Sequence, residues 1–197
     1  MGNIRISFME VGDIQESVNV LSIAMLNNPM HMAVLQGNGE KERLKIEKMF
    51  LDLFNTLPGI VFLAKEGEKI VGVMRMKSCL GGKTTDDKPK PEDGNDLSSR
   101  KAIWHWEWSN QDPREQHWHL GPIGVLPAYR GKGIGTRLME RFCQEVDRCA
   151  AKAFLETDLD ENVRFYEKFG FNLILKKDIL QVPNRFMVRD ALDGFRC

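Results

Sequence analysis

Leu120-Gly121-Pro122-Ile123-Gly124-Val125-Leu126-Pro127-Ala128-Tyr129-Arg130-Gly131-Lys132-Gly133-Ile134-Gly135-Thr136 is the stretch that decides the reading of this chain. Its first part continues an apolar run and predicts a strand over Trp118–Val125. Pro127 ends that run, and Gly131, Gly133 and Gly135 then alternate with Lys132, Ile134 and Thr136. Glycine lets backbone N–H groups approach a ligand closely. A helix beginning at Ile134 adds unpaired donors and partial positive charge at its first turn. Arg130 and Lys132 supply whole charges. Strand, basic glycine loop and helix start together form a cradle suited to a phosphate or pyrophosphate.

Working outward, Ile134–Arg148 carries Ile134, Leu138, Phe142 and Val146 four apart, the stripe of an amphipathic helix. Ala153–Thr157 reads as a strand, and Asp160 as the cap of a short helix that Gly170 ends. Phe171–Lys176 and Arg185–Val188 read as closing strands. Upstream, the alternation of Ile4, Ile6 and Phe8 predicts a strand. A helix capped by Asp13 is expected to run to about Asn27, where Asn28-Pro29 breaks it. A second helix over about 40–56 would set Leu44, Met49, Leu53 and the Ile46–Phe50 pair on one side, stopping at Pro58-Gly59. Residues 60–65 and 69–77 form a hairpin pattern around Gly67. The order is βααββ followed by βαβαββ, one mixed α/β domain spanning 1–197.

Between the halves, Gly81–Asp96 contains no aliphatic residue, so residues 81–99 are expected to be a long mobile loop. Trp104, Trp106 and Trp108 follow. They suit either the wall of an acceptor pocket, with 78–116 an inserted lid, or a cover over the edge of the core.

Composition narrows the function classes. Lys plus Arg and Asp plus Glu are 28 each among 197 residues, which argues against a protein that coats nucleic acid or an anionic membrane. No apolar run is long enough for a membrane span, and the start lacks a signal-peptide block. Cys79, Cys143, Cys149 and Cys197 are scattered without a C-x-x-C pair or a histidine at ligand spacing. The expectation is reduced thiols in a cytoplasmic protein, with no metal site and no disulfide framework. Two nucleotide motifs also fail. Gly82-Lys83-Thr84 lacks the glycine a P-loop needs at 77, which is Lys77, and the dinucleotide fingerprint fails at Thr136.

Downstream, Asn162-Val163-Arg164-Phe165-Tyr166 places Asn162 and Tyr166 one helical turn apart, before Gly170-Phe171. Leu120–Val125 with Pro127, the R-x-x-G-x-G run Arg130–Gly135, and N-x-x-x-Y…G-F over Asn162–Phe171 together resemble the GNAT superfamily of acetyl-CoA-dependent N-acetyltransferases. The resemblance is strong over 117–176 and compatible over 3–77; the insertion at 78–116 departs from the commonest pattern. It implies a mixed central sheet with helices on both faces and splayed parallel strands at about 118–125 and 153–158. It implies acetyl-CoA or CoA as cofactor, with Ile123 and Val125 pairing with the pantetheine arm around Gly124. Arg130, Gly131, Lys132, Gly133, Ile134, Gly135 and Thr136 would hold the pyrophosphate, and Asn162 would touch the cofactor arm or orient the helix of Tyr166.

The reaction so implied is acetyl transfer to a primary amine of a small molecule or peptide, by direct attack in a ternary complex. The implied chain is a monomer or homodimer without nucleic-acid or membrane partners. A non-catalytic acyl-CoA sensor with the same cradle is the other reading. Attack requires a neutral amine, a donor for the carbonyl oxygen such as the Ile123 N–H, and a proton for the leaving thiolate. In the family that acid is the tyrosine matching Tyr166. His119 stands where family members often carry a glutamate base; Glu107, Glu115, His117 and a water chain are the alternatives, and His119 could equally just pack beneath the Trp-rich segment. Pro122 offers no N–H, so a bulge or interruption is expected at Gly121-Pro122.

Overall fold

The computed structural model describes residues 3–81, 89–92 and 94–192. Among them are seven strands in the order β1-β2-β3-β4-β5-β7-β6. The sheet is mixed, with β4 (His117–Val125) and β5 (Lys152–Thr157) as its parallel pair. The chain divides into two compact units.

The first unit comprises residues up to Asn28, Asn38–Lys77 and Leu120–Glu145. Antiparallel β1 (Ile4–Phe8), β2 (Ile60–Glu66) and β3 (Lys69–Cys79) form its sheet, with the tight turn between β2 and β3 at Gly67. Helices α1 (Ile14–Met25) and α3 (Glu40–Thr56) pack on each other, and α5 (Ile134–Arg148) starts in this unit. The core is aliphatic and aromatic: Val18, Leu21, Ile46, Phe62, Leu63, Ile70, Met74, Leu138 and Phe142 are all buried. The Arg141 guanidinium lies over the Phe62 ring at 5.1 Å. Two local expectations change. Asp13 does not cap α1 with its side chain; it accepts from the Glu10 N–H at 3.0 Å and pairs with Lys65 at 2.7 Å. Leu44 lies on the exposed side of α3, because the buried face is set by Ile46 and Phe50.

The second unit comprises Pro29–Gly37, Ser78–His119 and the chain from Val146 onward. Antiparallel β6 (Asn172–Ile179) and β7 (Val182–Arg189) form a hairpin through Leu180 and Gln181, and β7 also pairs antiparallel with β5. Two helices here escaped the sequence reading. Asn28-Pro29 does not simply break the chain; it opens α2 (Pro29–Leu35), where a proline at the first position forfeits no intrahelical bond. The Met30 N–H of α2 donates to Asp158 at 3.0 Å, placing negative charge at that helix start.

The other unforeseen helix is α4 (Leu97–Ser109), so the expected loop over 81–99 ends sooner; residues 82–88 and 93 lie outside the described residues. Asp96 caps α4 by accepting from the Ser98 and Ser99 N–H groups at 2.8 and 3.1 Å. Ile103 and Trp104 are buried, Arg100 donates to the Val34 carbonyl at 2.7 Å, and Trp108 donates to Asn184 at 3.0 Å. The tryptophan segment is thus a helix seated in the core of its unit. Short α6 (Asp160–Glu167) begins after Leu159 rather than on an Asp160 cap; Asp160 instead pairs with Arg185 at 2.8 Å. Gly170 takes the expected left-handed conformation with φ of +82°.

Among the described residues, no single helix is long and apolar enough to cross a membrane.

Candidate active site

In the first unit, the end of β4 is held by the Leu126 N–H, which donates to Val71 of β3 at 3.0 Å. Beneath it α1 approaches closely: a Cβ added at Gly124 would meet Ala24 at 2.9 Å and Leu21 at 3.0 Å. Gly124 is therefore a glycine because a helix crosses it, a packing reason beside the cofactor role expected of it. Ile123 and Val125 on either side are half-buried. A single turn over Pro127–Tyr129 leads to Arg130, whose guanidinium donates to the Ala24 carbonyl at 3.0 Å. Tyr129 donates its hydroxyl to Glu66 at 2.8 Å and offers its ring face to Lys132 at 4.6 Å.

Gly131 and Gly133 have φ of +73° and +75°, which L side chains adopt only at a cost. A Cβ at either would meet nothing within 4 Å, so backbone conformation, rather than crowding, demands glycine. Gly131, Lys132, Gly133 and Thr136 are exposed, and Gly135 is half-buried. Ile134 turns the other way and is buried, in contact distance of Gly72. The first intrahelical bond runs from the Arg137 N–H to the Gly133 carbonyl at 3.1 Å. The N–H groups of the first turn, 134–136, therefore have no acceptor within the helix. Exposed donors, a helix start and two basic residues fit the phosphates of a nucleotide-type cofactor.

The expected interruption at Gly121-Pro122 is present as a cis peptide bond with Gly121 at φ of +156°. The parallel β4–β5 register covers His117–His119 against Lys152–Phe154.

In the second unit, α6 buries Val163 and Tyr166. Burial, and secondarily the Asp158 charge, push the Tyr166 phenol well above its usual value of 10.0. It keeps its proton throughout the neutral range, as a general acid must. The Asn162 amide donates to the Thr157 hydroxyl at 3.0 Å, tying the first turn of α6 to the end of β5.

His119 is enclosed by carboxylates. Its Nε2 lies 2.8 Å from Glu156 and its Nδ1 lies 3.4 Å from Asp112. Burial alone would lower its pKa, but the Glu156 charge and hydrogen bonds to Asp112, Cys79 and Glu156 raise it well above 6.5. The carboxylates around it thus favour the protonated imidazole. The alternatives are engaged as well. Glu107 pairs with Lys177 at 2.5 Å, Glu115 with Lys152 at 2.5 Å, and His117 Nδ1 donates to the Glu115 carbonyl at 2.8 Å. Glu156, Asp112 and Asp158 were not singled out in the sequence, and Cys79 was read there only as a reduced thiol. Glu156 alone left a signal there, as the charge inside Ala153-Phe154-Leu155-Glu156-Thr157.

The glycine cradle and α6 both fall within residues 34–171, which match the model of the acetyltransferase (GNAT) family. The chain belongs to the GNAT family. Solved structures of other acetyltransferases share its fold at low sequence identity. A mosquito arylalkylamine N-acetyltransferase (like 5b) is 14% identical with a TM-score of 0.72, covering 95% of this chain and 99% of its own. A histone acetyltransferase HPA2 and related acetyltransferase from Corynebacterium glutamicum is 18% identical with a TM-score of 0.69, covering 98% and 99%. A GNAT acetyltransferase from Brucella melitensis, solved in complex with acetyl-CoA, is 18% identical with a TM-score of 0.56, covering 100% and 93%. In this GNAT chain, α4 lies between β3 and β4.

Proposed function

We propose that this GNAT acetyltransferase moves the acetyl group of acetyl-CoA onto a primary amine by direct attack of the amine on the thioester. The observation that carries the reading is the loop Arg130–Thr136: two glycines with positive φ, exposed basic residues and a helix start with free first-turn N–H groups. Those donors would hold the cofactor pyrophosphate, since dipole and charge both favour an anion there. The acetyl-CoA complex of the Brucella melitensis protein supports the same cofactor here.

The chemistry needs a neutral amine, a donor for the developing oxyanion and an acid for the thiolate. The backbone N–H of Ile123 is the proposed oxyanion donor. Tyr166 is the proposed acid, protonated because it is buried. Its proton passes to the CoA sulfur as the C–S bond breaks, the attacking nitrogen gives up a proton to solvent as the C–N bond forms, and the phenolate regains one from solvent. His119 is assigned no base role, because the adjoining Glu156 carboxylate favours its protonated form. The amine is then deprotonated by solvent before it binds, and kcat/KM should rise with pH along the pKa of the amine itself.

The test is thiol release from acetyl-CoA with arylalkylamines, polyamines and peptide N-termini as acceptors. Amine-dependent release supports the enzyme. Tight CoA binding with no release for any amine class would favour the sensor reading and overturn this one.

A further inference from the structure

We propose that Cys79, Asp112, His117 and His119 in the second unit form a site for one divalent transition-metal ion, with zinc the best chemical match. One ligand atom from each lies within 4.8 Å of all the others, in the one such cluster among the described residues. His117 and His119 are two apart on β4, so both imidazoles leave the same face of that strand. Cys79 is the last residue of β3, and Asp112 lies in the connection between α4 and β4. A tetrahedral shell with bonds of about 2.0–2.3 Å sets its ligand atoms roughly 3.3–3.7 Å apart, so closure needs shifts on the order of 1 Å.

The hydrogen-bond pattern around the cluster points to a ligand. A carbonyl only accepts, so the 2.8 Å bond to the Glu115 carbonyl fixes the proton of His117 on Nδ1. Its Nε2 electron pair then points inward, from a residue only 1% exposed, and that nitrogen makes no hydrogen bond. His119 repeats the arrangement with its nitrogens exchanged. Nε2 lies 2.8 Å from the buried Glu156 carboxylate, while Nδ1 faces Asp112 Oδ1 at 3.4 Å. Each ring is oriented by an acceptor on its outer nitrogen and presents its inner nitrogen to the cluster, as metal-bound histidines do.

Ligand chemistry narrows the ion. Calcium and magnesium take oxygen ligands, whereas a thiolate with two imidazoles and one carboxylate suits zinc and its neighbours. Four protein ligands close the shell, so the role is structural: the ion would tie the end of β3 to the start of β4 across the segment containing α4. On binding, one Zn–S, one Zn–O and two Zn–N bonds form, the Cys79 thiol and the protonated Nδ1 of His119 give their protons to the buffer, and the ion charge is balanced by thiolate and carboxylate.

The test uses the full chain, reduced and stripped with a chelator. Cobalt(II) should bind one per chain with a thiolate-to-cobalt charge-transfer absorption, and zinc should displace it. Cys79→Ser should abolish that absorption and weaken zinc binding about 100-fold or more. Glu156→Gln, which alters only the support of His119, should keep the absorption and weaken zinc about 10–100-fold. Gly133→Asp should bind metal normally, which separates this site from the cofactor reading. The wild-type spectrum needs no variant to fold. No charge-transfer absorption in wild type, or an absorption that survives Cys79→Ser, would overturn the proposal.

Discussion

The two units place polar groups differently. The first buries few: Ser17, Ser22 and Arg75 amid a core of aliphatic and aromatic side chains. The second buries His31, Arg100, Glu107, His117, Asp158, Asn184, Arg185 and Arg189. The contrast carries over to function. What the first unit offers a ligand is backbone, the donors of Gly131–Thr136. What the second would offer under the proposed readings is side chains, Tyr166 and the His–Cys–Asp cluster. Backbone recognition needs only a short contiguous sequence, whereas side-chain chemistry must be collected across the chain.

If α4 belongs to the core of the second unit, Trp104→Ala should cost about 3–5 kcal/mol of stability by urea unfolding. Trp104 is 6% exposed and meets His31 edge-on at 5.3 Å. A change below about 1 kcal/mol, the range of surface substitutions, would make the segment a detachable cover instead.

Acid should separate the units next. Burial lowers the His31 pKa from 6.5 to about 4, so between those values the unfolded chain binds a proton that the folded chain does not. Stability from neutral His31 is complete above 6.5 and falls as pH drops towards 4, by about 3 kcal/mol in all at ~1.4 kcal/mol per pH unit. Replacing His31 with Gln should flatten that part of the stability–pH curve; an unchanged slope would show that other groups govern it.

Tyr166→Phe tests the side-chain half of the proposed chemistry. The phenol is a weaker acid than the thiol it would protonate, so the fall in turnover should lie at the low end for a general acid, about 100-fold. CoA affinity should hold, and acyl donors with more acidic thiols should lose less. Turnover equal to wild type would remove Tyr166 from the reaction.

Gly133→Asp probes the backbone half and should have the smallest effect. A left-handed non-glycine residue costs about 1–2 kcal/mol, and an anion competing at the helix start adds about 0.3–1 kcal/mol. CoA affinity by calorimetry should fall about 30-fold at ~1.4 kcal/mol per decade. Unaltered affinity would mean that the pyrophosphate is held elsewhere.

Much of this was legible in residue order. The stripe Ile134, Leu138, Phe142 and Val146 gave α5 to the residue, and the span of α3 was read as about 40–56 before Pro58-Gly59, with Leu44 placed on the wrong side. The cradle was legible for the same reason, since strand, glycines and helix start are contiguous. Helices α2 and α4 were not. In α2 a proline that stops one helix also starts the next. In α4 the capping signal at Asp96 was masked by the polar run before it and by aromatics without a clean stripe. His119 was read as a candidate base because it stands where family members often carry a glutamate; its contact with Glu156, 37 residues away in sequence, was not legible there.

Sequence by itself determined the α/β class, the family and the glycine loop proposed to hold the cofactor, because each depends on periodicity or on a contiguous run of backbone. Tertiary structure decided what the buried ionisable groups are. For His119, the neighbouring Glu156 and Asp112 carboxylates bias the imidazole towards its protonated form, which the residue alone on a strand would not reveal. Cys79, Asp112, His117 and His119 show it most plainly, since their 4.8 Å proximity exists only after strands and connections have folded together.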